Sequence, residues 1–466
     1  MKSKVLSMNT AGNVNAPYGT KTVQVGTDMG FISSEVPCIY PERILGTPTY
    51  ERVPLEDING KIVATREIIN VKVENGKVLD DARLQLTAKD VAWILNNGGT
   101  PVLWGHNGRK SKGDLIDLDS ADGKVVIDTL AKILKDNYGY ELNYCAGVIT
   151  EQGIDATKAN FKIGQANLLN NIRVYENSKE DNYESKAFAN SFKSIFEGTG
   201  VQTFFCGAFG DIGSKGPSSH VELLSMFKNV AWGPVIVDEM LDMENIKDQK
   251  VIQFAGNKLD KTEVLTNLKK ALKMGGIVYV GSAVAAMLTT TGKGRELLEE
   301  LRQHFNIITP GQRPDPSKYN LAIPLVEKVD QIMFKGKDIG AGYPDITMES
   351  AQWIKDVIIS SLGQGDEILF NGIVSFREAG YIDTTKLIIE AIADKIKTGA
   401  KINMIGGDGP ANFKEFSKPV LGSLDSYMKN GQIVGFSGGG VPLKYATEGL
   451  KKLVIAQAMY QVNNPQ

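Results

Sequence analysis

The chain has 466 residues, with 52 Lys and Arg against 54 Asp and Glu, and its formal charge is −2. Hydrophobic residues at 42% and charged residues at 23% are ordinary globular usage, which excludes a chain disordered along most of its length. Near-zero charge argues against a protein that coats nucleic acid, which needs a basic excess, and the length fits two or three domains at roughly 150 residues each.

Glycine is in excess, 49 residues of 466 against a usual ~7%, a mark of tight turns and of backbone brought close to a ligand. Cys38, Cys145 and Cys206 are scattered, with no CxxC pair. That spacing supports neither a zinc site nor a disulfide framework and fits a reducing compartment. No apolar run approaches the ~20 residues that cross a bilayer, and no apolar core follows the first residues as in a secretory signal. A cytoplasmic, monomeric protein without membrane or nucleic-acid partners is expected.

Taken in chain order, residues 1–55 lack a helical period and are expected to form an extended arm. Lys61–Val73 is β-rich, and Lys77–Leu84 follows the turn residues Asn75-Gly76 as a second extended run. Thr87–Asn97 is expected to be a helix opened by a Thr87-x-x-Asp90 cap. A strand at Pro101–Trp104 leads to a Gly/basic loop, His106–Gly113. Then come a helix at 122–136, strands at 141–145 and 164–169, a helix at 180–197, a strand at 201–206 and a Gly-rich loop, Gly207–Ser219. Val235–Ile246 follows Pro234 as one helix. Strands are expected at 250–254, 276–281, 321–326, 366–370, 401–405 and 432–436, and helices at 262–273, 294–303, 347–360, 385–397 and 442–458. Two runs of strand–helix units joined by one helix give two α/β domains with parallel sheets. The expected division is an extension at 1–55, a first domain at 56–233, a hinge helix at 234–248, a second domain at 249–455 and a tail at 456–466.

Open α/β sheets bind ligands beyond the carboxyl ends of their strands. In the first half those loops carry Arg83, His106, Arg109 and Arg173. In the second they carry Gly256–Lys261, Gly281, Asn371–Glu378, Gly406–Pro410 and Ser437–Pro442. One half is cationic and the other glycine-rich. Gly438, Gly439 and Gly440 precede a helix, where converging N–H groups and the helix dipole suit a phosphate; a plain strand-to-helix turn would need one glycine. There is no GxxxxGK[ST], and Gly407–Gly409 lacks the third glycine of GxGxxG. Lys258 and Lys261, three apart, share a face, toward a phosphate or toward solvent. Each arginine taken singly is equally a surface ion pair, and His106 a satisfied buried histidine. Asp408 is either a Mg²⁺ ligand or a helix cap. His220 and His304 are expected to be structural.

Together these residues resemble the phosphoglycerate kinase family, in order, from about residue 57 to 460. Lys61–Lys72 is similar to its RVDFNVP, with Arg66, Asn70 and Val71 in place, and Asp80–Leu84 to its DD-x-R-I. Gly105–Arg109 is similar to SHLGR, Leu168–Tyr175 to LLEN-x-RFY, and Ala208-Phe209-Gly210 to DAFG. Gly256–Lys261 resembles GGAKVxDK, Asn371–Glu378 WNGPxGxFE, Gly406–Asp408 GGGDT and Ser437–Gly440 STGGG. The resemblance implies two Rossmann-like domains joined by a hinge helix. It also implies an ATP-binding transferase of glycolysis that exchanges a phosphoryl group between Mg-ATP or Mg-ADP and the carboxylate of a small acid. Arg83 and Lys258 would then be catalytic, and Asn70, His106, Arg109, Arg173 and Lys215 would bind the acid. Lys261, Gly256, Gly281, Asn371, Glu378, Gly406, Gly407 and Gly438–Gly440 would hold the nucleotide, and Asp408 the Mg²⁺.

The departures fall on both sides. Ile68 stands where the family has the Asp that reads the acid's hydroxyl, and Gly213–Gly216 replaces HRAH, with Lys215 as the remaining charge. The two lysines are three apart rather than four, the loop after Gly281 has lost two glycines, and Gly409 replaces Thr. Two alternatives follow: a same-fold enzyme that activates a different carboxylic acid as its acyl phosphate, or a non-catalytic binding or structural relative.

Overall fold

The computed structural model describes residues 47–108, 113–147, 153–175, 192–208, 223–245, 249–255, 261–315, 320–405, 409–436, 459 and 461–463, and the backbone of 20–27 and 30–37. The first domain is a six-stranded parallel sheet of β1 (Ile62–Arg66), β2 (Thr100–Trp104), β3 (Leu142–Cys145), β4 (Ala166–Leu169), β5 (Thr203–Cys206) and β6 (Asn229–Trp232), in spatial order β6-β5-β1-β2-β4-β3. The second is a seven-stranded parallel sheet of β7 (Val251–Phe254), β8 (Ile277–Val280), β9 (Asn306–Ile308), β10 (Asn320–Ala322), β11 (Glu367–Asn371), β12 (Lys401–Ile405) and β13 (Ile433–Phe436). Its order is β9-β10-β8-β7-β11-β12-β13. The strands are continuous apolar runs because parallel sheets are covered on both faces; β2, β5, β7 and β8 are buried at every residue. Both sheets are wound outward from a central strand, β1 in one and β7 in the other, which places each ligand crevice at the neighbouring switch point.

The helices that matter for the site are α1 (Ala82–Asn96), α2 (Ala121–Tyr138), α3 (Pro234–Asn245), α4 (Ser282–Thr290) and α5 (Gly409–Leu421). Ser120 caps α2 through the Gly123 N–H at 3.1 Å, and Gly139 closes it in the left-handed region at φ 80°. Helix α3 joins the two sheets. Ile236, Val237, Met240 and Met243 on α3 belong to one apolar core that holds Trp104 of the first sheet, Ile252 of the second, and Leu268 of the helix Lys261–Lys273. Near the end of the chain, Met459 is buried in the same core, and Asn463 Nδ2 donates to the Val230 carbonyl at 3.0 Å. The tail therefore returns to the first sheet.

Several expectations are corrected. The β-rich run from Lys61 ends as a strand at Arg66; beyond it lie a loop and a two-residue hairpin, Val73–Glu74 with Lys77–Val78, and Leu84 is helical. The helix expected from Thr87 begins at Ala82, so Thr87 and Asp90 are interior residues and not a cap. Each has found a tertiary partner instead: Thr87 Oγ1 donates to the Ile68 carbonyl at 2.9 Å, and Asp90 Oδ1 accepts the Val235 N–H at 2.7 Å. Residues after Gly281 form α4 directly rather than a loop, and the strand expected at 321–326 ends at Ala322. The short edge strands β6 and β9, the antiparallel pair Val326–Val329 with Gly342–Ile346, and α5 had no periodic signal. The extension contains an antiparallel hairpin, Thr20–Thr27 with Gly30–Pro37. Its end is stitched to β6 through the Trp232 N–H and the Pro48 carbonyl, 3.0 Å apart. Much of the expected 180–197 helix and the whole of the expected 442–458 helix lie outside the described residues.

Trp104 is fully buried, with Phe192, Phe196 and Phe204 packed around its ring at centroid distances of 5.1 to 5.8 Å. Truncating such a residue removes its burial and leaves a cavity. Trp104→Ala is expected to lower stability by about 3–5 kcal/mol, read as a fall in the urea midpoint, whereas Trp104→Phe retains most of it.

Candidate functional site

The candidate site of the first domain is built from three loops that leave β1, β2 and β4. Their carbonyls lie past the last strand pairing and need other donors. Arg83, half-buried in the first turn of α1, donates from Nη1 to the Asn70 carbonyl at 2.6 Å. Asn107, buried, donates Nδ2 to the Ile69 carbonyl at 2.9 Å, and Asn70 Oδ1 accepts the Gly108 N–H at 3.1 Å. Asn171 Nδ2 reaches the carbonyls of Asn107 and Ile116, both at 2.7 Å. Arg173, 4% exposed, donates from Nη1 to the Gly108 carbonyl at 2.5 Å. Its guanidinium thus fixes the backbone immediately before Arg109.

Arg66 is the residue that motif reading left without a role. It is 1% exposed, with Nη1 on the Trp104 carbonyl at 3.2 Å and Nη2 2.8 Å from His106 Nδ1. With the guanidinium as donor, Nδ1 is the acceptor and the proton of a neutral ring sits on Nε2. His106 is thereby held as a half-buried donor at the loop mouth. Ile68 is half-buried beside these groups and presents no polar atom from its side chain. Asn107, Asn170 and Asn171 also escaped notice, because asparagine carries no periodic signature. Of the acid-side residues, Asn70, Arg83, His106 and Arg173 are brought together; Arg109 and Lys215 lie outside the described residues.

The opposite site lies where β7, β8, β11 and β12 end. Ala255 N–H donates to the Asn371 carbonyl at 3.0 Å, Gly281 N–H to Phe254 at 3.0 Å, and Ser282 N–H to Val374 at 2.9 Å. These bonds draw the strand ends so close that a Cβ at two glycines would be tightly crowded. A Cβ on Gly281 would lie 3.0 Å from Ala255 Cα, and one on Gly372 would lie 3.0 Å from Ala255 Cβ. Gly372 also requires the left-handed region, at φ 80°. A buried relay from the Tyr279 hydroxyl to Gln253 Oε1, and from Gln253 Nε2 to the Gly372 carbonyl, holds that turn. Asn371 ends β11, and Glu378 is exposed in the turn beyond it. Asp345, under the same turn, accepts from Thr384 Oγ1 and the Ile346 N–H; burial pushes its carboxyl up to about 6 against those bonds. Gly256, Lys258, Gly406, Gly407, Asp408 and Gly438–Gly440 lie outside the described residues, as does the Lys261 side chain. Among the described residues no group of three or more His, Cys, Asp or Glu forms a metal cluster, and no helix is long and apolar enough to cross a membrane.

The two halves meet in a cavity of about 400 Å³. It is lined by the hairpin residues Gly76–Val78, by Leu79, Asp80 and Asp81, by Val125 and Thr129 of α2, and by Lys414 of α5. The turn that leads into Arg83 therefore faces the helix that starts directly after Asp408.

Two parallel-sheet domains on a connecting helix, with an arginine-bearing loop set on one and a glycine-bearing set on the other, define a two-domain α/β kinase architecture. The phosphoglycerate kinase family model matches residues 54–419, and the chain belongs to that family. It is 26% identical over 374 residues to the phosphoglycerate kinase of Psychrobacter sp., covering 74% of this chain and 86% of that protein. Over 131 residues, 28% of the chain, it is 33% identical to that of Cereibacter sphaeroides. Among solved structures, phosphoglycerate kinase from Pyrococcus horikoshii matches with a TM-score of 0.60 at 14% identity, covering 90% of this chain and 99% of that one. The enzyme from Coxiella burnetii matches with 0.55 at 17%, covering 89% and 99%.

Asn171 carries two carbonyls on one amide, so Asn171→Ala leaves buried acceptors unmet. The expected cost is about 1–3 kcal/mol, measured by urea unfolding. Asn171→Asp, which cannot donate to either carbonyl, is expected to cost at least as much.

Proposed function

We propose that the chain is a phosphotransferase that moves a phosphoryl group between Mg-ATP or Mg-ADP and the carboxylate of a small acid, 3-phosphoglycerate or a variant of it. The observation that carries this reading is the family match over residues 54–419, in a chain that keeps Arg83 held on the Asn70 carbonyl at the end of the first sheet. Transfer of a phosphoryl group depends on positioning and on neutralising charge spread over its equatorial oxygens. Arg83 supplies that charge from one side and Lys258 from the other. His106 and Arg109, with Lys215 as a point charge, hold the acid. Asn70 and Arg173 shape the loop on which they stand.

On the nucleotide side the fit is steric. Gly281 and Gly372 hold the backbone close at the strand ends, and the sequence places Gly256, Gly406–Gly407 and Gly438–Gly440 after the neighbouring strands, with Lys261 for the phosphates and Glu378 and Asn371 for the nucleoside. Asp408, between β12 and α5, is the residue for Mg²⁺, which neutralises phosphate charge when bound. Movement about α3 would close the halves and exclude water, which otherwise hydrolyses an acyl phosphate.

Ile68 favours an acid other than 3-phosphoglycerate. A hydroxyl buried against its side chain is left unpaired, at about 1–3 kcal/mol or roughly 5- to 150-fold in affinity. Ser214 and Lys215 weaken the distal phosphate grip further, because lysine does not reproduce the bidentate fork of arginine. A coupled ATP-consumption assay over a panel of carboxylic and phospho-acids tests this: an acid lacking that hydroxyl should outperform 3-phosphoglycerate. A micromolar KM for 3-phosphoglycerate, better than every other acid, would restore the family's own substrate. Arg83→Ala should lower turnover on the best acid by at least ~10²-fold, and near-normal turnover would move the site elsewhere.

A further inference from the structure

Three carboxylate oxygens converge on a glycine beside the amino end of the connecting helix. A Cβ built on Gly207 would lie 2.5 Å from Glu67 Oε1, 2.6 Å from Glu67 Oε2 and 2.5 Å from Asp90 Oδ2. Glu67 follows Arg66 at the end of β1 and Asp90 stands inside α1; each is 1% exposed. Two of the four carboxylate oxygens have defined tasks. Glu67 Oε1 accepts from Thr65 Oγ1 at 2.5 Å, and Asp90 Oδ1 accepts the Val235 N–H in the first turn of α3 at 2.7 Å. Asp90 Oδ2, the oxygen aimed at Glu67, has no hydrogen-bond partner among the described residues. Gly233 clears the same space, since a Cβ there would lie 2.9 Å from Asp90 Oδ2.

A metal ion does not fit this arrangement. The point of convergence is one bond length from Gly207 Cα, and three oxygens from two side chains fall short of the ~6–8 that a hard cation such as Ca²⁺ takes. Two buried carboxylates that converge on one point are not both expected to ionise, because each charge disfavours the other, and a retained proton relieves the conflict.

We propose that Glu67 and Asp90 share one proton beside Gly207, and that this proton ties the amino end of α3 to the strand carrying the acid-side loop, so that the connection loosens as pH rises. Among the described residues the charged and titratable groups around the pair are few, and Tyr50, in the segment before β1, is one of those that face Asp90. On β1 there is Arg66, already engaged by His106 and the Trp104 carbonyl. On α1 there is Lys89, which pairs with Asp238 of α3, and α3 adds Glu239; β5 brings only the Cys206 thiol. Burial, then the charge of Asp90, holds Glu67 well above the usual carboxylate range, against the Thr65 bond and Arg66. Burial likewise raises Asp90, with Asp238 and Glu239 adding to it and the Val235 N–H and Lys89 opposing it.

The sign follows from the proton held in the native state. The unfolded chain releases it above the ordinary carboxylate pKa of about 4, the native chain only at higher pH. The contribution of the pair is therefore full below that value and is lost as pH rises through the raised native values.

The test is thermal unfolding of the full chain, wild type against Glu67→Gln, between about pH 5.5 and pH 8.5. Glutamine offers Asp90 a permanent N–H and needs no proton. The variant is expected to gain at least ~2 °C on wild type across that interval, and parallel pH dependences would overturn the proposal. Infrared spectroscopy of the wild type over the same pH interval gives a second readout that needs no variant to fold. A protonated-carboxyl C=O band is expected, and one that Glu67→Gln or Asp90→Asn removes where those fold. Its absence from the wild type would overturn the proposal as well.

Discussion

The structure turns on a requirement for hydrogen-bond donors. Where β1, β2 and β4 end, buried backbone carbonyls lose their strand partners, and each needs a replacement donor. Arg83, Asn107, Asn171 and Arg173 supply those donors by reaching across from neighbouring loops to Asn70, Ile69, Asn107, Ile116 and Gly108. The same bonds fix the geometry of the acid-side site. Arg83 and Arg173 are cations held in place by backbone, so their positions are set before any ligand arrives. Such preorganisation is what phosphoryl transfer asks of a protein.

The second half meets the same problem differently. There the strand ends bond directly to one another, Ala255 to Asn371 and Gly281 to Phe254; a Cβ would be crowded by the Ala255 backbone at Gly281 and strained by the left-handed φ at Gly372. One loop set is braced by long polar side chains and the other by the absence of side chains. The division between cationic and glycine-rich loops in the sequence reflects these two solutions as much as it reflects two ligands.

Much of this was legible in the sequence. The parallel strands read as continuous apolar runs, the connecting helix was announced by Pro234, and the order of the loop motifs matched the family. What was missed has physical causes. Thr87 and Asp90 mimic a helix cap by spacing alone, but their side chains are recruited by Ile68 and by Val235, partners 19 and 145 residues away. Edge strands of three or four residues, such as Asn229–Trp232 and Asn306–Ile308, are too short to show a period. Arg66 and the asparagines act through tertiary hydrogen bonds, which no local window contains. Glu67 and Asp90 lie 23 positions apart in the chain and meet only because Gly207 and Gly233 leave room for them.

The account rests on transfer to a carboxylate, and an acyl phosphate is the product that distinguishes this from simple nucleotide hydrolysis or from binding alone. Hydroxylamine converts an acyl phosphate to a stable hydroxamate. The decisive measurement is hydroxamate formed by the full chain from Mg-ATP and a panel of small carboxylic acids that includes 3-phosphoglycerate. The account predicts hydroxamate from at least one acid, dependent on both the acid and the nucleotide. Binding of Mg-ADP with no hydroxamate from any acid would contradict it and leave a nucleotide-binding relative without the transfer reaction.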